Sequence, residues 1–440
     1  MAYIPNTPAD QAEMLEAIGL NSIDDLFAPI PQHLQLKSEL NIPSSLDQIS
    51  LTRHYIELAK KNAGAEDYTC FLGAGVYDHY VPPTVGAILS RGEFLTSYTP
   101  YQPEVSQGVL QSIYEFQTLI AELFAMDLAN ASMYDCASGL AEAAAMASYI
   151  TERREILAAD TINPAHLDVL RTYLNHGPYE LHLLPSQDGR IQSETLKDAL
   201  SSTTAAVLIQ HPNFYGGIED MFSLSDLAHA NGSLFVASVD PLSLGLLSPP
   251  GDYDADIAVG EGQALGCPMG FGGPMLGLFT CKSQYIRRLP GRIVGATTDI
   301  DGKKAYVMTL RTREQDIRRE TATSNICTNV ALYALAAAVH LATLGKTGVE
   351  QVASLSFQKA HYMASQIDSL PGYRLTFPEM PFFKEFLIDC SSSPEQINQR
   401  LLKDKILGGY VAEGNRMLIA VTEQRSRKQI DDFVKILSEF

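Results

Sequence analysis

Between residues 108 and 125 the apolar side chains of Val109, Ile113, Phe116, Ile120 and Leu123 recur at the three-to-four-residue spacing of one helix face. A second helix is predicted over 138–152, where alanine dominates and allows close packing. Strand-like runs then alternate with helices: 205–210, a helix over 223–231, 234–239, 256–260 and 275–281. Such alternation predicts a mostly parallel sheet with helices on its faces. After about residue 327 the texture changes to a long apolar helix, 327–344, and an amphipathic one, 350–370. Strands at 386–389 and 417–421 follow, the pattern of a small α+β domain. Upstream, residues 9–62 alternate short helical patterns with breaks at Pro29, Pro31 and Pro43, as an N-terminal arm would. The expected organisation is an arm (1–62), a large α/β domain (63–326) and a small C-terminal domain (327–440).

Composition narrows the functions open to such a chain. Hydrophobic residues make up 46% of the 440, enough for a buried core, and charged residues 19%, which argues against disorder. A net charge of −19 would repel phosphates, and no basic stripe offsets it, so no nucleic acid is expected as a partner. The six cysteines are scattered without a Cys-x-x-Cys pair and the histidines are unclustered, so neither a metal site nor a disulfide framework is expected. A reducing, cytoplasmic setting fits that usage. The polar start, with Pro5 and Pro8, does not resemble a signal peptide. The longest apolar run, 330–344, contains His340 and is too short to cross a bilayer, so no membrane partner is expected.

Four segments carry candidate chemistry, each with a plain alternative. Residues 260–274, from Gly260 through Gln263 to Pro274, take a strand into a glycine-rich loop that either lets backbone approach a ligand or simply turns the chain. Residues 133–142 put Asp135, Ser138 and Gly139 at a helix start, which reads as an anion site or as ordinary capping. Residues 98–108 form a loop with two tyrosines, stiffened by Pro100 and Pro103, which reads as a binding loop or a rigid connector. Residues 312–328 alternate charges beside the expected domain junction, as a solvated face or a functional one. His211, at a strand end, is expected to be a satisfied structural histidine. No Gly-x-Ser-x-Gly elbow occurs.

Segments 98–108, 260–274 and 312–328 together resemble the glycine dehydrogenase (decarboxylating) family, the P-protein of the glycine cleavage system, in its separate alpha form, subunit 1. The resemblance spans nearly the whole chain. It implies the fold of the fold-type-I pyridoxal-phosphate (aminotransferase-like) enzymes, α/β with a mostly parallel sheet and a small C-terminal α+β domain. It further implies that glycine loses its carboxylate to the cofactor's electron sink and that the aminomethyl group passes to the lipoyl arm of the H-protein. In the two-subunit form, pyridoxal phosphate is expected in the partner beta subunit (subunit 2) of an α2β2 assembly.

Residues of this chain depart from a cofactor-holding pattern. Attachment needs a lysine after the strand that ends near Gly260, yet no lysine occurs between Lys197 and Lys282, and Gln263 falls at that position. Ser238 stands where the resemblance places the acid that keeps the pyridine nitrogen protonated, although Asp240, two residues on, shares its strand face. The expectation is therefore no catalytic or cofactor-binding residue in this chain, and a phosphate segment at 135–139 that is a relic. The resemblance further makes Tyr98, Tyr101 and Gln102 candidates to reach the partner's pocket, with Arg313, Arg318 and Asn325 bracing the loop or the interface. The alternatives are a purely structural or regulatory subunit and a self-sufficient pyridoxal-phosphate enzyme, the latter opposed by the missing lysine.

Overall fold

The computed structural model describes residues 5–175, 177–322 and 324–440. Thr323 of the charged 312–328 segment and the first four residues of the polar N-terminus lie outside the described residues. The chain divides into two units, Met1–Ala63 and Gly64–Phe440.

In the first unit the local sequence sets short helices through their caps. Thr7 and Asp10 form a capping box at the start of α1 (Pro8–Ala17), and the Asp47 carboxylate accepts two amides at the start of α2 (Gln48–Ala59). Neither helix contains a buried residue, and Met14, Ile18, Leu26, Phe27, Leu36, Ile49 and Tyr55 are all exposed. Capping, not core burial, defines these elements.

The second unit is built on a seven-stranded sheet. In chain order its strands are β1 (Leu128–Ala129), β2 (Glu155–Ala159), β3 (Glu180–Leu184), β4 (Thr204–His211), β5 (Leu234–Val239), β6 (Ile257–Glu261) and β7 (Gly277–Cys281). Across the sheet they lie in the order β1-β7-β6-β5-β4-β2-β3, and β7 alone runs against the others. The centre is buried on both faces, which is why β4 and β5 read as continuous apolar runs. Helices α3 (Gln107–Leu123) and α4 (Cys136–Thr151) follow the expected periodicity. α3 buries Leu110, Ile113, Phe116 and Ile120, while α4 buries nearly all of its alanine-rich length. Leu110 and Ile113 also pack with Val294 and Tyr306 of an antiparallel hairpin, β8 (Ile293–Thr298) and β9 (Lys304–Thr309).

The long helix α5, Ala331–Asp368, joins two hydrophobic cores. Ala334, Ala337 and Leu341 belong to that of the large sheet, and Ala360, Met363 and Ile367 to a second one. It is long and apolar enough by composition to span a membrane, but one face of it, including Ala334, Ala337, Leu341, Ala360, Met363 and Ile367, is buried inside the protein. Gly345 leaves helical geometry (φ 60°, ψ −176°), so the two helices expected at 327–344 and 350–370 meet at a kink. The helix starts later than residue 327 because Asn329 donates to the Ala131 carbonyl and the Val330 amide to the Ser132 hydroxyl.

The second core lies against a four-stranded antiparallel sheet, in the order β10 (Arg374–Leu375), β11 (Glu385–Asp389), β13 (Arg416–Ala420), β12 (Tyr410–Ala412). Residues 69–70 pair in parallel with 406–407, and Phe71 is buried in this core. The chain therefore passes through the C-terminal layer just before residues 73–80.

Candidate functional site

Parallel strands converge on a pocket at their carboxyl ends, where α/β sheets bind ligands. Asn163 and His166 follow β2, Gln210 and Pro212 lie at the end of β4, and Ser238 and Asp240 at the end of β5. Glu261 ends β6 and Gln263 lies in the turn after it, Cys136 comes from the start of α4, and Tyr77, Lys384 and Glu385 close the other side. The structure thus brings Gln263, Ser238 and Asp240 into one place, as the sequence suggested. The remaining cavity is about 50 Å³, room for a few waters.

Side chains of the protein itself fill this space. The Gln263 amide oxygen accepts the Tyr77 N–H at 3.1 Å, and its nitrogen donates to the carbonyls of Tyr77 (3.2 Å) and Cys267 (2.8 Å). Glu261 occupies the helix start: it accepts the amides of Cys136 (3.0 Å), Gln263 (3.0 Å) and Leu276 (2.9 Å). Asp135 caps the same helix through Ser138, so capping accounts for the 135–139 motif in this structure. Burial pushes the Glu261 carboxyl up to about 7, although those amides draw it down. Ser238 is buried with its hydroxyl 3.4 Å from the Cys136 sulfur.

Lys384 is the residue that sequence reasoning missed here. It is 2% exposed, and its ammonium lies 2.7 Å from Asp240 Oδ2, 2.9 Å from His79 Nε2 and 3.6 Å from the centre of the Tyr77 ring. Asp240 and His79 accept from the ammonium, and the Tyr77 ring face lies against its charge. Accepting from Lys384 leaves His79 to donate through Nδ1 to Glu423 at 2.6 Å. Burial, with the lysine charge beside it, holds that imidazole below its usual range. Burial pushes Glu423 up, but the His79 bond and the Tyr80 amide outweigh it and hold the carboxyl at about 2. On the same side, Glu385 accepts from the Tyr77 hydroxyl (2.6 Å) and the Ala74 amide (2.7 Å), and burial pushes its carboxyl to about 7. Lys384 and Glu385 immediately precede the predicted strand 386–389, a charged pair whose burial nothing in the local pattern signals.

His211 is buried, accepts the Glu219 amide at Nδ1 and is pushed by burial to about 4, a neutral ring with a backbone partner. Among the described residues no group of three or more His, Cys, Asp or Glu side chains could hold a metal ion.

The two polar segments meet around Arg292, also missed from sequence. Tyr98 and Gln102 are exposed, whereas the half-exposed Tyr101 accepts a hydrogen bond from Arg292 at its hydroxyl (2.9 Å). Arg313 donates to the carbonyls of Leu310 and Gly291, and Arg318 to that of Thr312, all within its own neighbourhood. Asn325 is exposed, and its amide lies beside the buried Glu142, whose carboxyl burial pushes to about 7. The Tyr134 hydroxyl accepts the amides of Cys327 and Thr328, pinning the end of the second segment.

This architecture, with its pocket at the strand ends, is that of the fold-type-I pyridoxal-phosphate enzymes. It is shared at the level of fold with a C-DES variant solved with glycine covalently linked to its PLP cofactor (TM-score 0.63, 14% identical, 85% of this chain and 97% of that chain). The chain belongs to the glycine cleavage system P-protein family, whose sequence profile matches residues 1–437. It is 50% identical over 445 residues, covering both chains completely, to the "Probable glycine dehydrogenase (decarboxylating) subunit 1" of Desulfitobacterium hafniense. It is also similar to a crystal structure of glycine decarboxylase (P-protein) of the glycine cleavage system in inhibitor-bound form (TM-score 0.91, 42% identical, 100% of both chains).

A pyridoxal phosphate on this chain would need an amine at the strand end, free amides for its phosphate and space for its ring. Gln263 supplies no amine, Glu261 already accepts the Cys136 amide, and Lys384 is committed to Asp240 and His79. The residues present do not fit the group.

Proposed function

We propose that this chain is the subunit of a glycine-decarboxylating enzyme that does not hold the cofactor. In this reading pyridoxal phosphate resides in a beta subunit, the two chains assemble as α2β2 in the cytoplasm, and the lipoylated H-protein accepts the aminomethyl group. The chain's own contribution is a surface: the 98–107 loop, with Tyr98 and Gln102 outward, completes the partner's cleft. One observation carries the reading. The strand-end pocket is occupied by Gln263, Glu261 and the Lys384–Asp240 pair, each satisfied by protein partners. The exposed apolar residues of α1 and α2 agree with a chain that has a partner.

The test is covalent trapping. The purified chain is incubated with pyridoxal phosphate and borohydride and its mass is read after digestion. Neither Lys384 nor Lys282 is expected to carry stoichiometric adduct, while the beta subunit treated alike does, and glycine decarboxylation requires both chains. A stoichiometric adduct on this chain, or turnover by it alone, would overturn the reading.

A further inference from the structure

Arg292 stands at the head of hairpin strand β8 and is 4% exposed. A guanidinium has five N–H donors in a fixed fork, and here every one has an acceptor. Nε meets Glu314 Oε2 at 3.4 Å, and Nη1 meets the hydroxyls of Thr99 (2.9 Å) and Thr328 (2.8 Å). Nη2 meets the Tyr101 hydroxyl (2.9 Å) and the Cys327 carbonyl (2.7 Å). The Tyr101 ring also lies near two guanidinium groups, 5.2 Å from that of Arg292 and 5.3 Å from that of Arg311.

Four of the five acceptors are neutral, and the one carboxylate is the most distant. A charge buried this way contributes more to geometry than to stability, because desolvation offsets much of what the ion pair returns. The acceptors come from residues 99, 101, 314, 327 and 328, which are the two motif segments and nothing else. One side chain thus ties together two stretches some two hundred residues apart (99 to 328) in sequence.

We propose that Arg292 is a positioning residue for glycine decarboxylation. It sets the 98–107 loop and the 312–328 segment as a single block that presents Tyr98 and Gln102 outward. Tyr101 is then the loop's anchor on Arg292, and its hydroxyl faces the guanidinium instead of substrate. This rests on the reading that the loop completes the partner's site.

The experiment uses the assembled two-subunit enzyme. Three properties are measured for each variant: steady-state kcat and KM for glycine, the size of the complex, and amide exchange over 98–107 and 311–322. Arg292→Met is expected to assemble, to exchange faster in both segments together, and to lower kcat about ten- to a hundredfold with KM for glycine within about threefold. Tyr101→Phe gives a smaller loss of the same kind. The double variant is no slower than Arg292→Met alone, because the hydroxyl acts only through the guanidinium. Arg292→Lys does not restore the rate, since one ammonium cannot reach acceptors arranged for a planar fork. If Arg292→Met fails to assemble, Arg292→Gln replaces it in the same cycle with Tyr101→Phe, since it too removes the guanidinium through which the hydroxyl acts. Losses that multiply in the double variant would mean that Tyr101 acts on its own, and would overturn the assignment. Tyr98→Ala separates the two levels. A slow Tyr98→Ala enzyme beside an Arg292→Met enzyme normal in exchange and rate sinks the role of Arg292 alone. Loosened segments with full activity, in both Arg292→Met and Tyr98→Ala, sink the reading of the loop and the positioning role with it.

Discussion

Gln263 is more than a missing lysine. Both ends of its amide are used, and they tie residue 77 to the loop after β6. A lysine there could not accept the Tyr77 amide, and its ammonium would enter a pocket whose carboxylates are engaged, Asp240 by Lys384 and Glu261 by three amides. Gln263→Lys is therefore expected to lower stability by about 1–3 kcal/mol, read as a shift in urea midpoint, and to trap no pyridoxal phosphate with borohydride. Stoichiometric trapping at residue 263 would show that the pocket can still open for the cofactor. Gln263, Ser238 and Asp240 were legible in the sequence because each lies in or beside a strand whose end could be located. Lys384, His79, Glu423 and Arg292 were not. Each is a single ionisable side chain in an unremarkable stretch, and its partners lie tens to hundreds of residues away.

Among the elements, long apolar runs were the legible ones, and burial alone was not enough. Strand β2 is buried along most of its length, yet it was not read as a strand, because Ile156 and Leu157 are its only large apolar residues. Strands β4 to β7, buried along most of their length, were read within one or two residues. Strand β3 lies at the sheet edge with Glu180 and His182 exposed, and the β8–β9 hairpin has an exposed tip, so neither made a distinct apolar run. The break in α5 was legible as a change from apolar to amphipathic texture, and Gly345 shows its physical basis. Its φ of 60° with ψ of −176° belongs to a region that essentially only glycine occupies. Gly345→Ala meets no steric neighbour, so its effect isolates the backbone term. It is expected to lower stability by about 1–3 kcal/mol, measured by urea unfolding. Gly86→Ala is the control: it lies in the helix Pro83–Leu89, again with nothing near its Cβ position, and should be neutral or slightly stabilising. Equal effects at the two sites would mean that the kink is not held by the glycine.

Across the whole molecule the buried ionisable groups set a pH profile. Burial pushes Glu142, Glu219, Glu261 and Glu385 up to about 7, and His211 and His340 down to about 4. Burial also lowers His79 and His166, while the Asp256 hydrogen bond raises His229. Between the ordinary carboxyl value of 4.5 and the ordinary imidazole value of 6.5, the folded chain keeps protons on glutamates that the unfolded chain has released. Over the same range it refuses protons on histidines that the unfolded chain binds. The two slopes are opposite and nearly cancel. Above 6.5 the unfolded histidines are neutral as well, leaving the glutamates and His229, whose folded forms hold the extra protons. Stability then falls as pH rises through about 7 and levels off once those groups have lost them. Repulsion within a chain of net charge −19 acts in the same direction. Glu423, held at about 2, behaves oppositely: its contribution is present above 4.5 and lost as pH falls toward 2. The urea midpoint of the chain is therefore expected to be nearly level from about pH 5 to 6.5, lower at about pH 8 by the equivalent of roughly 1–3 kcal/mol, and steeply lower below about pH 4. The double variant Glu261→Gln/Glu385→Gln should flatten the fall on the alkaline side. A midpoint that rises from pH 6 to 8 in the unaltered chain would mean that these carboxyls are ionised in the folded protein at neutral pH, and that the pocket holds its negative charge without a proton.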